Sequence, residues 1–384
     1  MNKASKDLVK SIRDVVLSKK VALHEPIFVG NEKKYLHDCI DSGFVSTTGK
    51  YVKKFEKLLS FYTKSKYVIA LNSGTSALQI AILVSGIKEN NEILMPALTF
   101  AATPAAAIYN NCIPHFVDSD IEDLGIDINQ LRKYLNKISI KKNGKLINIK
   151  TNREISGIIP VHTFGHIGKI TEIRKLAREF KLTVIEDAAE ALGSFYKGQH
   201  AGTFGEVGTL SFNGNKIVTT GAGGAILTNS KKISERARHL IATAKKKHMW
   251  EYDHDLVGFN YRMPNLNAAL GLAQLEKLPY FLSQKRRLYK KYKKSFENNL
   301  YADLLDEPIH CSSNYWFQTI FLKDKYIKHK NNILLNLNNL GYQCRPAWKL
   351  MSELKPYREF PKMNLSNSEK LYRKIINIPS SSNL

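Results

Sequence analysis

The residues best suited to do chemistry in this chain fall into five short clusters. In the stretch from Thr209 to Gly224, an apolar run leads into small polar residues, then Lys216, then the glycines at 221, 223 and 224. A lysine on so short a turn is held in place, and a desolvated amine with a lowered pKa suits imine chemistry. Taken alone, a lysine is far more often a solvated surface charge. Asn72 to Leu78 reads as a strand end, a glycine turn and a helix start. The N–H groups of Gly74, Thr75 and Ser76 would there face a phosphate, unless Ser73 or Thr75 simply caps the helix. Asp187 and Glu190 follow the apolar run Val184-Ile185, where a buried carboxylate needs a cationic partner or donors; a helix cap is the plainer reading. His162 and His166 flank Gly165 and suit acid–base work, ring packing or a structural role. Asn260 and Arg262 lie among Phe259, Tyr261 and Met263, and Arg262 could bind an anion or form an interface ion pair.

Short apolar strands must position these clusters. They are expected at 67–71, 92–95, 113–117, 155–161, 182–185, 207–212 and 224–227, with helices between several of them, as at 170–180. Such alternation implies a mainly parallel sheet covered on both faces, which binds ligands beyond the carboxyl ends of its strands. Every cluster is expected to lie in that place. Helices are also expected at 5–19, 30–41 and 51–62, ahead of the first strand. The lysine- and asparagine-rich stretch 141–153 reads as a surface hairpin or loop. Beyond residue 250 the glycine turns thin out. Two helices (265–278 and 282–298), a strand at 315–321, another helix and an extended tail make a smaller α+β domain.

Composition narrows the function. The 384 residues carry 58 Lys and Arg against 34 Asp and Glu, a net charge of +24. The basic residues are dispersed, and the run 285–294 reads as the wet face of an amphipathic helix, with Leu288, Tyr292 and Phe296 on the other side. Nucleic-acid binding is therefore not expected; a phosphate-bearing small substrate is the milder reading of the charge. Four well-separated cysteines indicate neither a disulfide framework nor a zinc site. No secretory segment and no membrane-spanning run of about 18 apolar residues is visible, so a cytoplasmic enzyme is expected.

The clusters occur in a telling order: phosphate turn, aromatic turn at Phe100, histidine segment, strand-end aspartate, then lysine with glycines behind it. A cofactor with a phosphate, an aromatic ring, a basic ring nitrogen and an aldehyde would use each one, and that cofactor is pyridoxal 5'-phosphate. Over nearly its whole length the chain resembles the DegT-type sugar-nucleotide aminotransferases. The matching pieces are 73–78, 96–100, His162 with Gly165, 186–190, Ser211-Phe212 with Lys216, and 258–263. Within that family it looks closest to enzymes aminating a UDP-linked 4-keto-6-deoxy-N-acetylhexosamine for bacillosamine or legionaminic acid. That narrower match lies in 24–26, 44–50, 162–166, 211–216 and 377–380.

The resemblance implies PLP fold type I, an α/β aspartate-aminotransferase-like fold. A large domain (1–250) would hold a seven-stranded, mainly parallel sheet, with a small α+β domain at 251–384. It further implies that Lys216 bonds the cofactor aldehyde and shuttles a proton, that Asp187 holds the pyridine nitrogen protonated, and that His162 lies in the catalytic pocket. Glu190 would contact the ring hydroxyl and Phe100 lie against the ring. Gly74, Thr75, Ser76 and Ser211 would bind the phosphate, joined by Asn260 from a second subunit of a homodimer with shared active sites. Ser46, Thr47, Trp250, Arg262, Arg345 and Trp348 would line the nucleotide-sugar side, with L-glutamate as amino donor and no metal. Two departures stand out: many members carry an acidic residue at Ala222, and Gln is common at Glu190. Lysine rather than histidine at 216 argues against the family's dehydratases. A GDP-linked 4-keto-6-deoxymannose is the alternative substrate, and a PLP-binding regulator or a basic nucleic-acid-binding protein are the more distant readings.

Overall fold

Five-residue apolar strands cannot stay in water, and in this protein they join edge to edge into one sheet. The structure, a computed structural model, describes residues 3–17 and 20–384. The sheet has seven strands in the order Tyr67–Leu71, Gly224–Thr228, Val207–Ser211, Thr183–Asp187, Ile155–Ile158, Glu92–Pro96 and Ile113–Val117. From Val207–Ser211 outward every pairing is parallel, whereas Gly224–Thr228 runs against both neighbours. Gly224–Thr228 and Glu92–Pro96 are buried at every residue, as expected where helices cover both faces. Helix Ile170–Phe180 presents Ile170, Ile173, Leu176, Ala177 and Phe180 to the core at the spacing of one helical face. Helix Gly74–Val84 is buried around almost its whole girth, and its start reaches the ends of the central strands.

Asp187 and Ser211 are the last residues of their strands, and helix Gly74–Val84 begins three residues beyond Leu71. All three therefore meet at the carboxyl edge of the sheet. The stretch 141–153 does contain a hairpin, Ser139–Lys142 paired with Lys145–Asn148, turned by Asn143 and Gly144 at positive φ.

A second apolar core lies apart from the sheet. It is built on the antiparallel strands Ala302–Leu304, Gln318–Leu322, Ile375–Ile378 and Arg345–Pro346. Helix Leu278–Phe296 contributes Leu288, Tyr292 and Phe296 to it, and its lysines at 290, 291, 293 and 294 face outward. Lys285 departs from the expected wet face and is buried, its amine bonded to the carbonyls of Trp316 and Ser380. The structure departs from several expectations here. The first helix spans Lys3–Arg13, not 5–19; of the remainder, Ser18 and Lys19 lie outside the described residues. Leu8 and Ile12 of that helix pack into the second core, so the N-terminus joins the C-terminal elements rather than the large sheet. Conversely, helix Asn265–Glu276 packs into the large core. The strand expected at 315–321 begins only at Gln318, because Tyr315 has φ 48° and Trp316 and Phe317 turn toward the sheet's edge. Among the described residues, no helix is long and apolar enough to cross a membrane, and no cluster of His, Cys, Asp and Glu could hold a metal ion.

Candidate active site

A cavity of about 710 Å³ opens at the carboxyl edge of the sheet, within the size range of small-molecule sites. Lys216, Asp187, Glu190, Gly74, Thr75 and Ser211 all line it. Segments far apart in sequence thus meet at one place because their strands are neighbours.

Ser73 caps helix Gly74–Val84, its Oγ accepting the N–H of Ser76 at 3.0 Å. The cap therefore leaves room for a phosphate cradle, with a division of labour that the sequence did not reveal. Gly74 and Thr75 keep N–H groups that start the helix without an intrahelical acceptor. Ser76 does not: its N–H is taken by the cap, and its hydroxyl donates to Asn72 Oδ1 at 2.7 Å. Ser76 does not line the cavity. Gly74 is required by close approach, since a Cβ there would lie 2.8 Å from Ser211 Cβ. Side chain and helix end meet so closely that a small anion can touch both.

Asp187 is 5% exposed. Thr103 Oγ1 donates to its Oδ2 at 2.8 Å and the Ala189 N–H to its Oδ1 at 3.2 Å. Burial pushes its pKa upward, opposed by these bonds and by the charge of Lys216. Glu190 is pushed up to about 7, again by burial first. Its Oε2 accepts the Phe164 N–H at 2.8 Å, and its Oε1 receives Lys216 Nζ at 3.5 Å. Burial pushes the Lys216 amine down, against the pull of both carboxylates. Two buried carboxylates beside one lysine leave the pocket short of cation, and a protonated pyridine nitrogen at Asp187 would correct that. With the Gly74 cradle, these residues fit pyridoxal phosphate.

His162 sits differently from the expectation. Its N–H bonds the carbonyl of Asp187 at 3.0 Å, but its Nε2 meets Glu186 Oε2 at 2.9 Å, and it does not line the cavity. Glu186 also accepts the N–H groups of Gly202, Phe204 and Gly205, so His162 is braced behind Asp187. Phe100, Arg345 and Trp348 do line the cavity, and Phe100 meets Trp348 edge-on at 6.2 Å. Ser46, Trp250, Asn260 and Arg262 are exposed, Thr47 is half-buried, and none of the five lines the cavity of this chain.

Sequence reasoning missed Trp316 and Phe317, just ahead of strand Gln318–Leu322, and Asn377, within strand Ile375–Ile378, all of which wall the cavity. The run of three consecutive aromatics, Tyr315 to Phe317, is a local signal that could have drawn notice to this segment.

The comparisons agree with this geometry. The model of the DegT/DnrJ/EryC1/StrS aminotransferase family matches residues 27–384. GDP-perosamine synthase of Escherichia coli O157:H7 is 34% identical, covering 89% of this chain and 88% of its own. UDP-4-amino-4,6-dideoxy-N-acetyl-beta-L-altrosamine transaminase of Campylobacter jejuni is 31% identical, covering 87% of this chain and 86% of its own. Among solved structures, Helicobacter pylori PseC, an aminotransferase involved in the biosynthesis of pseudoaminic acid, superposes with a TM-score of 0.86 at 26% identity. That match covers 95% of each chain. The chain belongs to the DegT/DnrJ/EryC1/StrS aminotransferase family and is a pyridoxal-phosphate-dependent sugar-nucleotide aminotransferase.

Proposed function

We propose that the chain transfers the amine of L-glutamate to the C4 ketone of UDP-2-acetamido-2,6-dideoxy-hexos-4-ulose, toward bacillosamine or legionaminic acid, as a cytoplasmic homodimer. The observation that carries the chemistry is one cavity shared by Lys216, Asp187, Glu190 and the Gly74–Ser211 contact. The choice of sugar rests on the sequence segments at 24–26, 44–50, 162–166, 211–216 and 377–380.

Pyridoxal phosphate supplies an aldehyde that bonds amines and an electron-poor ring that accepts the electron pair left on a deprotonated carbon. Gly74, Thr75 and Ser211 bind its phosphate, helped by the positive end of the helix. Asp187 holds the proton on the ring nitrogen. Lys216 Nζ, its proton affinity reduced by burial, takes the proton from the amine-bearing carbon of glutamate. In the second half-reaction the same nitrogen delivers a proton to C4 of the sugar. His162 and Glu186 hold Asp187 in register from behind. Arg345 offers a cation at the cavity wall for the diphosphate, with Trp348 beside it. Asn260, Ser46, Thr47, Trp250 and Arg262, which do not line their own cavity, act in that of a second subunit.

A second reading has its own support: GDP-perosamine synthases of Escherichia coli and Vibrio cholerae are 34% and 32% identical to this chain, which favours a GDP-linked 4-keto-6-deoxymannose. Product analysis with the UDP- and GDP-linked keto sugars side by side, each with glutamate, decides between them. For the chemistry itself, borohydride should fix the cofactor onto Lys216, and Lys216→Ala should lose the cofactor's bound absorption band and about 10²–10⁴-fold in turnover. A Lys216→Ala protein that keeps both would sink the assignment.

A further inference from the structure

We propose that the indole face of Trp316 and the carboxylate of Glu190 form a station for the free ammonium of Lys216 while that lysine is not bonded to the cofactor, making Trp316 a positioning residue for the reaction. The inference rests on the role given to Lys216 above. Lys216 Nζ lies 3.7 Å from the centre of the Trp316 ring and 3.5 Å from Glu190 Oε1. A cation over a desolvated indole is attracted by the negative face of the ring, and tryptophan is the strongest such partner.

The ring's position does not depend on the lysine. Its Nε1 donates to the carbonyl of Asn215 at 2.7 Å, and its backbone N–H donates to Asn314 Oδ1 at 2.8 Å. Its carbonyl accepts Lys285 Nζ at 2.7 Å, and the indole stacks on Phe317 at 3.8 Å and 20°. Lys285 is itself wholly buried, and its amine goes to the carbonyls of Trp316 and Ser380. The result is a fixed aromatic plate, 3% exposed, bonded to the residue just before Lys216. Transamination releases the lysine from the cofactor for part of every cycle. During that interval the amine takes a proton from carbon and later returns it, and a loose ammonium would lose its register with the reacting carbon. The plate and the carboxylate hold the ammonium in that register until the proton is returned. The other titratable groups near Nζ are Asp187, which also favours the ammonium, and His24, which burial keeps neutral.

The test uses the full-length protein stripped of cofactor with hydroxylamine, with and without added pyridoxamine phosphate. The pH dependence of acetic anhydride labelling at Lys216 is read by mass spectrometry. In Trp316→Leu the labelling midpoint should fall, so that the neutral, reactive fraction below the midpoint rises about tenfold. Trp316→Phe keeps a ring and the fold, and should give a smaller rise, about threefold. A midpoint that stays put or rises in these variants overturns the proposal, because the indole would then act only as an apolar cover. Failure of borohydride to fix pyridoxal phosphate on Lys216 of the parent protein would instead overturn the role of the lysine itself, so the two failures are distinguishable.

Discussion

Glu190 and Asp187 sit where a lysine, the start of helix Gly74–Val84 and an aromatic wall converge, and the burial that pushes the Lys216 amine down also makes these carboxylates costly. A carboxyl whose pKa is raised in the fold favours its protonated form there. Its stabilising contribution is complete below the ordinary value of 4.5 and is lost as pH rises through about 7. For Glu190 that span corresponds to about 3 kcal/mol. Glu190→Gln keeps the shape and the acceptor for Phe164 N–H but has no proton to lose. Cofactor-free Glu190→Gln should therefore melt like the parent at pH 5 and be the more stable of the two at pH 8, by up to about 3 kcal/mol. Thermal unfolding at both pH values checks it, and equal melting at pH 8 would mean that the carboxylate is ionised in the fold at little cost. At this scale the sequence was informative where chemistry restricts residue type, as with Lys216 and Asp187. It was silent on which donors were already committed. Ser76 looked like a phosphate ligand, but its N–H closes the Ser73 cap.

Strands and helices were legible wherever the chain stays in one layer. Tyr67–Leu71, Ile113–Val117 and Ile170–Phe180 match the expected spans because an apolar run, or one apolar face, has a single good use in a covered parallel sheet. Trp316 and Phe317 broke the pattern, since a positive φ at Tyr315 redirects the chain toward a cavity formed by other elements. Nothing local encodes that destination. The Gly74 turn shows the reverse case, in which element geometry explains a residue. An added Cβ would meet Ser211 Cβ at 2.8 Å, and overpacking of that kind costs about 1–3 kcal/mol. Gly74→Ala should part the helix start from Ser211 and weaken pyridoxal phosphate binding by about tenfold to a hundredfold. Absorbance titration of the stripped protein measures it; undiminished affinity would mean that the cradle does not hold the phosphate.

At the scale of the molecule, the two cores are laced together by the chain's beginning. Helix Lys3–Arg13 packs with the small sheet, Val21 bridges to Tyr342, and Leu23, whose carbonyl accepts the Ser380 N–H, lines the cavity. Exposed apolar residues occur at Phe44, Val45, Met249, Trp250, Leu256 and Val257, on the two loops that hold Ser46 and Trp250. Solitary exposed side chains need no explanation, but six on two loops suit a partner. Asn260 adds a sharper test of the proposed dimer, because it is exposed and does not line its own cavity. Lys216→Ala and Asn260→Ala homodimers should each be impaired. Mixed and re-equilibrated, they form hybrids in which one site combines an intact Lys216 with an intact Asn260 from the other subunit. If Asn260 works across a two-fold interface, the mixture should recover up to about a quarter of parental turnover. If it works within its own chain, neither site of a hybrid is whole, and the mixture stays no more active than the average of its parents.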